Sequence, residues 1–172
     1  DSAGPVFYRG IRIGLYGRQF KIFKFRTMVD KADSCRCFST KEDDERITST
    51  GRFIRKYNLD ELPQFINILK GEMSIVGPRP EVKLYVDMFT EEQKAILSIL
   101  PGITDWATIK IGNEGSILLG AEEPDKVYFE NIRPQKLKLQ LEYVRDHSVG
   151  VDFNIMLQTI KVHLLSRILN KT

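Results

Sequence analysis

Arg55–Glu81 reads RKYNLDELPQFINILKGEMSIVGPRPE, and the fold has to be built around its two halves, an acid pair and a proline-flanked arginine. Asp60 and Glu61 follow Asn58 and precede Leu62-Pro63, after which apolar Phe65, Ile66, Ile68 and Leu69 run to Gly71. This pattern predicts a helix that opens near the acids and stops at Gly71, since proline is tolerated in a first turn whose N–H groups lack intrahelical partners. Asn58 and Glu61 have capping-box spacing. At such a helix start the macrodipole holds a carboxylate ionised, and free N–H groups receive phosphate oxygens. Ordinary capping acids have the same sequence, so the pair alone is weak evidence for chemistry.

Cations around apolar residues strengthen it. Arg79 lies between Pro78 and Pro80, whose fixed φ prepositions a guanidinium fork for phosphate oxygens; a surface turn with one exposed charge is the plainer alternative. Arg52 and Arg55, three apart, share a helical face that is either solvated or ligand-binding. Lys24 and Arg26 alternate with Phe23 and Phe25, so a half-buried strand puts both cations on one side and both rings on the other.

With these motifs in place, the chain resembles the bacterial sugar transferases, the monotopic phosphoglycosyl transferases that start glycan assembly on a polyprenyl phosphate carrier. The resemblance runs from GPVFYRGIRIGLYGRQFKIFKFRTM through LDELPQFINILKGEMSIVGPRPE to PGITDWA and VDFNIMLQTIKVHLL. KFRTM, DELPQ and VGPRP in that order are far more specific than any one of them. The resemblance implies that Asp60 is the nucleophile. It attacks the sugar-bearing phosphate of a UDP-sugar, UMP leaves, and polyprenyl phosphate then takes the phosphosugar. It also implies Mg²⁺ beside Asp60, because two anions brought together need a hard cation. Glu61 then supports the site, either orienting Asp60 and its cation or assisting proton movement, while Lys24, Arg26, Arg55 and Arg79 stabilise phosphate charge. Membrane lipids and other glycan assembly enzymes are the implied partners, at the cytoplasmic face of the bacterial inner membrane.

The chain departs from the family pattern in places. Ser2-Ala3-Gly4-Pro5 stands where many members have S-P-G-P. The segment after Pro101-Gly102-Ile103-Thr104-Asp105-Trp106 lacks the arginine of an N-G-R ending, leaving Lys110 or Arg133 to supply that charge; a subgroup with a T-D-W-A-S-I-K-like segment is close to it. Members carry an N-terminal apolar helix that enters the membrane and turns back. This chain begins at Asp1 and reads as a fragment lacking that anchor.

Composition bounds the rest. With 172 residues, 42% hydrophobic and 28% charged, the expectation is one domain over residues 1–172 with one core. No run approaches the roughly 20 apolar residues of a membrane span, and no secretory signal is visible. The net charge is +3, concentrated at the start, where Arg9, Arg12, Arg18, Lys21, Lys24 and Arg26 face only Asp1 and Asp30. Such an edge suits anionic lipid headgroups. No nucleic-acid recognition motif accompanies it, and Phe20, Phe23 and Phe25 read as core. Cys35 and Cys37 lack partners for a zinc site and read as free thiols. The run Lys41–Arg46 reads as solvated, or as a flap over the substrate.

The expected fold is α+β: helix-rich, with a small hairpin or sheet near residues 6–26 and amphipathic helices toward the C-terminus. Thr90–Gln93 has a capping-box pattern opening a helix to about Leu100. Trp106 and Ile109 fit an extended segment. Pro134–Arg145 is predicted helical with Leu137, Leu141 and Val144 inward. From Asp152 to Asn170, Phe153, Met156, Leu157, Ile160, Leu164 and Ile168 form one stripe, broadened by Ile155, Val162, Leu165 and Leu169. That stripe either packs on its own domain or lies along a membrane interface. No dinucleotide glycine fingerprint follows a strand, which excludes a Rossmann-type transferase. A catalytically silent scaffold of a glycan assembly complex and an aspartyl-phosphate hydrolase are the competing functions.

Overall fold

The computed structural model describes residues 1–30, 32 and 40–169, with side chains as far as residue 162. The thiols of Cys35 and Cys37 and the far end of the C-terminal stripe lie outside the described residues and side chains. Period-two alternation produces the expected N-terminal hairpin from β1 (Phe7–Tyr8), β2 (Ile11–Ile13), β3 (Gln19–Lys21) and β4 (Lys24–Phe25). β2 pairs antiparallel with β3 and β1 with β4. Phe7 stacks on Phe25 at 5.7 Å and meets Phe23 edge-on at 6.0 Å, so the rings share one side, as the alternation requires. Phe20 and Ile22 pack on Met73.

The acid-pair region follows as α1 (Ser49–Lys56), a 3-10 turn at Leu59–Glu61 and α2 (Gln64–Leu69). β5 (Ser74–Val76) then pairs in parallel with β6 (Gly102–Thr104). The strands meet so closely that a Cβ on Gly102 would lie 2.1 Å from the Gly77 nitrogen, which only glycine permits. Between them lie α3 (Lys83–Val86) and a 3-10 helix, Gln93–Ser98. After β6 come α4 (Trp106–Ile111), α5 (Glu114–Ile117), α6 (Pro124–Val127), a π turn at Tyr128–Ile132, α7 (Arg133–Asp146) and α8 (Val149–Leu169). The fold is helix-rich α+β with small sheets, as the sequence predicts. No helix among the described residues is long and apolar enough to cross a membrane.

Several local expectations change. Asp60 does not sit at an α-helix N-terminus: Asn58 adopts a left-handed conformation at φ 52° and makes no cap bond, and the α-helix begins only after Pro63. The capping box at Thr90–Gln93 forms reciprocally, with Thr90 N–H donating to Gln93 Oε1 at 3.0 Å and Gln93 N–H to Thr90 Oγ1 at 3.2 Å, but it opens a 3-10 helix. Trp106–Ile109 is helical instead of extended, because the Asp105 carboxylate accepts from Thr108 N–H at 2.7 Å and caps α4. Along α8 the packed face runs through Val151, Ile155 and Met156 against Val76 and Tyr143, while Phe153, Leu157 and Ile160 stand exposed. Ile155, placed at the stripe's margin by the sequence, is its most buried member at 0%.

Candidate active site

Asn67 explains how the acid pair reaches the hairpin. Fully buried on α2, its Oδ1 accepts from Phe23 N–H at 2.9 Å, and its Nδ2 donates to Lys21 O at 3.0 Å and Glu72 Oε2 at 2.7 Å. An amide bonded at one end to the last residue of β3 and at the other to the link before β4 fixes α2 against the hairpin. The turn preceding α2 then lies over Lys24, whose Nζ donates to Glu61 Oε1 at 2.8 Å. Arg79 arrives from the other side and forks onto the same carboxylate, Nη1 on Oε2 at 3.1 Å and Nη2 on Oε1. Its Nη1 also donates to Ile103 O at 2.8 Å, which anchors it to β6.

Glu61 is therefore fully engaged. Burial alone would raise its carboxyl, but Arg79 and Lys24 outweigh it and hold the group well below the usual carboxylate range. Asp60 has the opposite environment. Among the described residues no cation pairs with it at salt-bridge distance, and burial pushes its carboxyl up from 3.8, with Lys24 and Arg55 opposing and Glu61 reinforcing. The expectation that a helix dipole holds Asp60 ionised is thus replaced by a desolvated carboxylate among cations. Arg55 completes the surround. Its Nε donates to Thr27 Oγ1 at 2.8 Å, and burial pulls its guanidinium down while Asp60 pulls it up.

The structure brings Lys24, Arg55, Asp60, Glu61 and Arg79 together. Arg26 points its hydrogen bonds elsewhere: Nε to Pro5 O at 2.7 Å, Nη1 to Ser2 Oγ at 2.8 Å and Met28 O at 3.1 Å, and Nη2 to Ser2 O at 2.9 Å. It ties the N-terminal segment to the end of the hairpin. Arg52 is exposed on α1. Within the charge run, Arg46 forks onto Asp44 and Glu42 Oε2 accepts from Ser116 Oγ at 2.6 Å, so this segment docks on α5.

Sequence reading missed a second charged cluster. Lys136 on α7, 6% exposed, pairs with Glu81 at 3.0 Å and Glu114 at 3.1 Å. Glu81 directly follows the GPRP turn, which was a usable signal; nothing in the sequence ties residue 136 to it.

The sequence profile of the bacterial sugar transferases matches residues 1–166. The chain belongs to that family. Among its relatives, the uncharacterized sugar transferase EpsL of Bacillus subtilis (strain 168) is 38% identical over 98% of this chain and 74% of its own length. The undecaprenyl-phosphate glucose phosphotransferase of Komagataeibacter xylinus is 39% identical over 97% of this chain and 31% of its own. The UDP-glucose:undecaprenyl-phosphate glucose-1-phosphate transferase of Escherichia coli (strain K12) is 36% identical over 93% of this chain and 33% of its own. The chain thus spans about a third of the length of these last two relatives.

As a member of the bacterial sugar transferases, the chain positions the two cations considered for the missing arginine as follows. Lys110 lies 5.4 Å from the Trp106 ring. Arg133 donates to Tyr85 O at 3.0 Å beside the Phe89 and Phe129 rings, inside an aromatic cluster. For a divalent ion, no group of three or more acidic, histidine or cysteine side chains is available among the described residues. Asp60 alone is an uncommitted carboxylate here, and Mg²⁺ is commonly held by one or two carboxylates plus substrate phosphates, so the donor set fits an ion shared with a diphosphate.

Proposed function

We propose that this chain transfers a sugar-1-phosphate from a UDP-sugar to polyprenyl phosphate through a covalent aspartyl-phosphosugar intermediate, releasing UMP and starting glycan assembly. The observation that carries the reading is the contrast between adjacent carboxylates: Glu61 is held by Lys24 and Arg79, while Asp60 is desolvated and, among the described residues, has no cation at salt-bridge distance. Ion pairing lowers a carboxylate's basicity and nucleophilicity, and desolvation raises both.

In the first displacement an Asp60 oxygen attacks the phosphorus bearing the sugar, the bond from that phosphorus to the bridging oxygen breaks, and UMP leaves with the electron pair. In the second, an oxygen of polyprenyl phosphate attacks the same phosphorus and Asp60 departs as carboxylate. Arg79, Lys24 and Arg55 supply positive charge where phosphate oxygens gather. Mg²⁺ shared between Asp60 and the diphosphate would neutralise two approaching anions. Glu61 keeps Arg79 and Lys24 in place for this work.

The exposed face around Asp60 supports a lipid acceptor. From Ser49 to Lys70 the only carboxylates are Asp60 and Glu61, whereas the exposed side chains of this stretch include apolar Phe53, Leu62, Phe65 and Leu69, the last 88% exposed, and cationic Arg52, Lys56 and Lys70. Apolar side chains rimmed by cations suit an anionic bilayer surface. The reading puts the chain at the cytoplasmic face of the bacterial inner membrane, where nucleotide sugars meet lipid-borne acceptors, with other glycan assembly enzymes as partners.

The test is incubation with Mg²⁺ and a panel of UDP-sugars, reading intact mass and UMP release with Asp60→Asn alongside. A phosphosugar-sized adduct with one donor, absent in the variant, is the expected result. Free sugar phosphate released in step with UMP would mark a phosphohydrolase instead. Glycan assembly surviving Asp60→Asn in cells would mark a scaffold.

A further inference from the structure

Among the described residues, Lys136 is a buried cation paired with two acids that the proposed reaction does not use. A buried ammonium has to be paired, and Lys136 Nζ has Glu81, Glu114 and the Tyr128 hydroxyl, the last at 3.3 Å. One cation between two carboxylates leaves an excess negative charge at a site where stability alone would favour one partner or none. That excess lies beside the turn that carries Arg79. Pro78 O accepts from Gly102 N–H at 2.9 Å and Glu81 O from Ile13 N–H at 2.9 Å, so the turn is anchored on both sides of Arg79. Glu81's side chain adds a third anchor, on α7. Glu114 and Asp105 also act on Arg79 electrostatically, in the same direction as Glu61.

We propose that Lys136 is a positioning residue for the Asp60 reaction: through its ion pair with Glu81 it pins the turn that carries Arg79. This rests on the transferase reading for its kinetic part only. If Lys136 is replaced by a neutral residue, Glu81 loses its partner on α7 and the turn loses its pin. If Glu81 loses its charge, the buried ammonium keeps Glu114 and the fold, but the ion pair that pins the turn is reduced to a hydrogen bond on a neutral acceptor.

The experiment is a pair of double-mutant cycles, Lys136→Met with Arg79→Ala and Glu81→Gln with Arg79→Ala, each folded fraction checked by thermal melting. The expected result is a loss of about 10²-fold in kcat for UMP release in each single variant, the scale of a small misplacement of a charged group. Adding either change to Arg79→Ala is expected to cost nothing further, because both act through Arg79. Lys136→Arg should restore most of the rate. Solvent exchange of the Arg79 guanidinium protons, followed by NMR without any substrate, should quicken in Glu81→Gln and in Lys136→Met but not in Lys136→Arg. Additive losses in both cycles, or unchanged exchange in both variants, would overturn the proposal. Failure of every UDP-sugar to release UMP from the parent protein would count against the transferase reading, while the exchange measurement would still decide the positioning role.

Discussion

Glu61 and Arg79, 18 positions apart in the chain, meet as two forks, with Arg79 Nη1 on Glu61 Oε2 at 3.1 Å and Nη2 on Oε1. Lys24 closes the same carboxylate from the hairpin side at 2.8 Å. The pairing joins three separate segments, the KFRTM strand, the DELP turn and the GPRP turn, on one side chain. Its next-door neighbour Asp60 has, among the described residues, no cation at salt-bridge distance, although Lys24 and Arg55 act on it electrostatically. The contrast leads to opposite expectations for the two acids.

Asp60→Asn should abolish activity without loss of stability. Burial raises the Asp60 carboxyl, so ionising it opposes folding, and a neutral isostere removes that penalty. UMP release should fall by about 10³-fold or more, as for loss of a nucleophile, while the melting temperature at pH 7 stays level or rises. A clear drop in melting temperature would mean Asp60 has a structural partner after all.

Glu61→Gln should behave in the reverse sense. Its folded carboxyl lies well below its ordinary value of 4.5, so its stabilising contribution is present above that value and is lost as pH falls toward the folded value. At pH 7 the variant should lose about 2–3 kcal/mol, the scale of hydrogen bonds to charged groups. Its acid limb in denaturant melts between pH 3 and 7 should be flatter than the parent's. Equal acid limbs would show that the forked pair contributes little in solution.

Arg79→Lys keeps the charge and loses the fork. Because only a planar guanidinium meets both Glu61 oxygens and Ile103 O together, the lysine variant should fold yet lose about 10²-fold in kcat for UMP release, as for a removed charge-stabilising donor. A near-parental rate would mean that charge alone suffices at residue 79.

Arg26→Ala separates a structural cation from a site cation. With its guanidinium spent on Ser2, Pro5 and Met28, its removal should lower stability by about 1–2 kcal/mol and leave KM for the UDP-sugar unchanged. A raised KM with parental stability would return Arg26 to the phosphate site.

Phe65→Glu and Leu69→Glu place acid on the exposed face beside Asp60. Both should weaken co-sedimentation with vesicles containing anionic lipid, and both should slow transfer to a vesicle-borne acceptor while adduct formation from UDP-sugar in solution persists. Unaltered vesicle binding in both would move the lipid contact elsewhere, with the exposed Phe153, Leu157 and Ile160 of α8 the next face to test.

Much of this site was legible residue by residue. The acid pair, the proline-flanked Arg79 and the alternating Lys24 are local patterns, and proline geometry or strand alternation constrains each before any tertiary contact forms. The capping box at Thr90 and the hairpin at the N-terminus are equally local, and both are present. Where reading went astray, a tertiary or near-local bond outweighed propensity. Asn58 takes φ 52° instead of capping, so Asp60 sits on a 3-10 turn. Asp105 caps α4 and turns an extended-looking segment helical. Arg26, indistinguishable from Lys24 by alternation, is recruited by Ser2 and Pro5.

The sequence by itself determined the residue types, the order of motifs and the family, because these rest on short-range geometry and on spacing along the chain. Only the tertiary structure decided which acid is tied and which is left available, and that Lys136 stands behind the GPRP turn. Those outcomes depend on burial and on charges brought together from segments as far apart as residues 24, 61, 79 and 136, where the dielectric is low and each pairing excludes another.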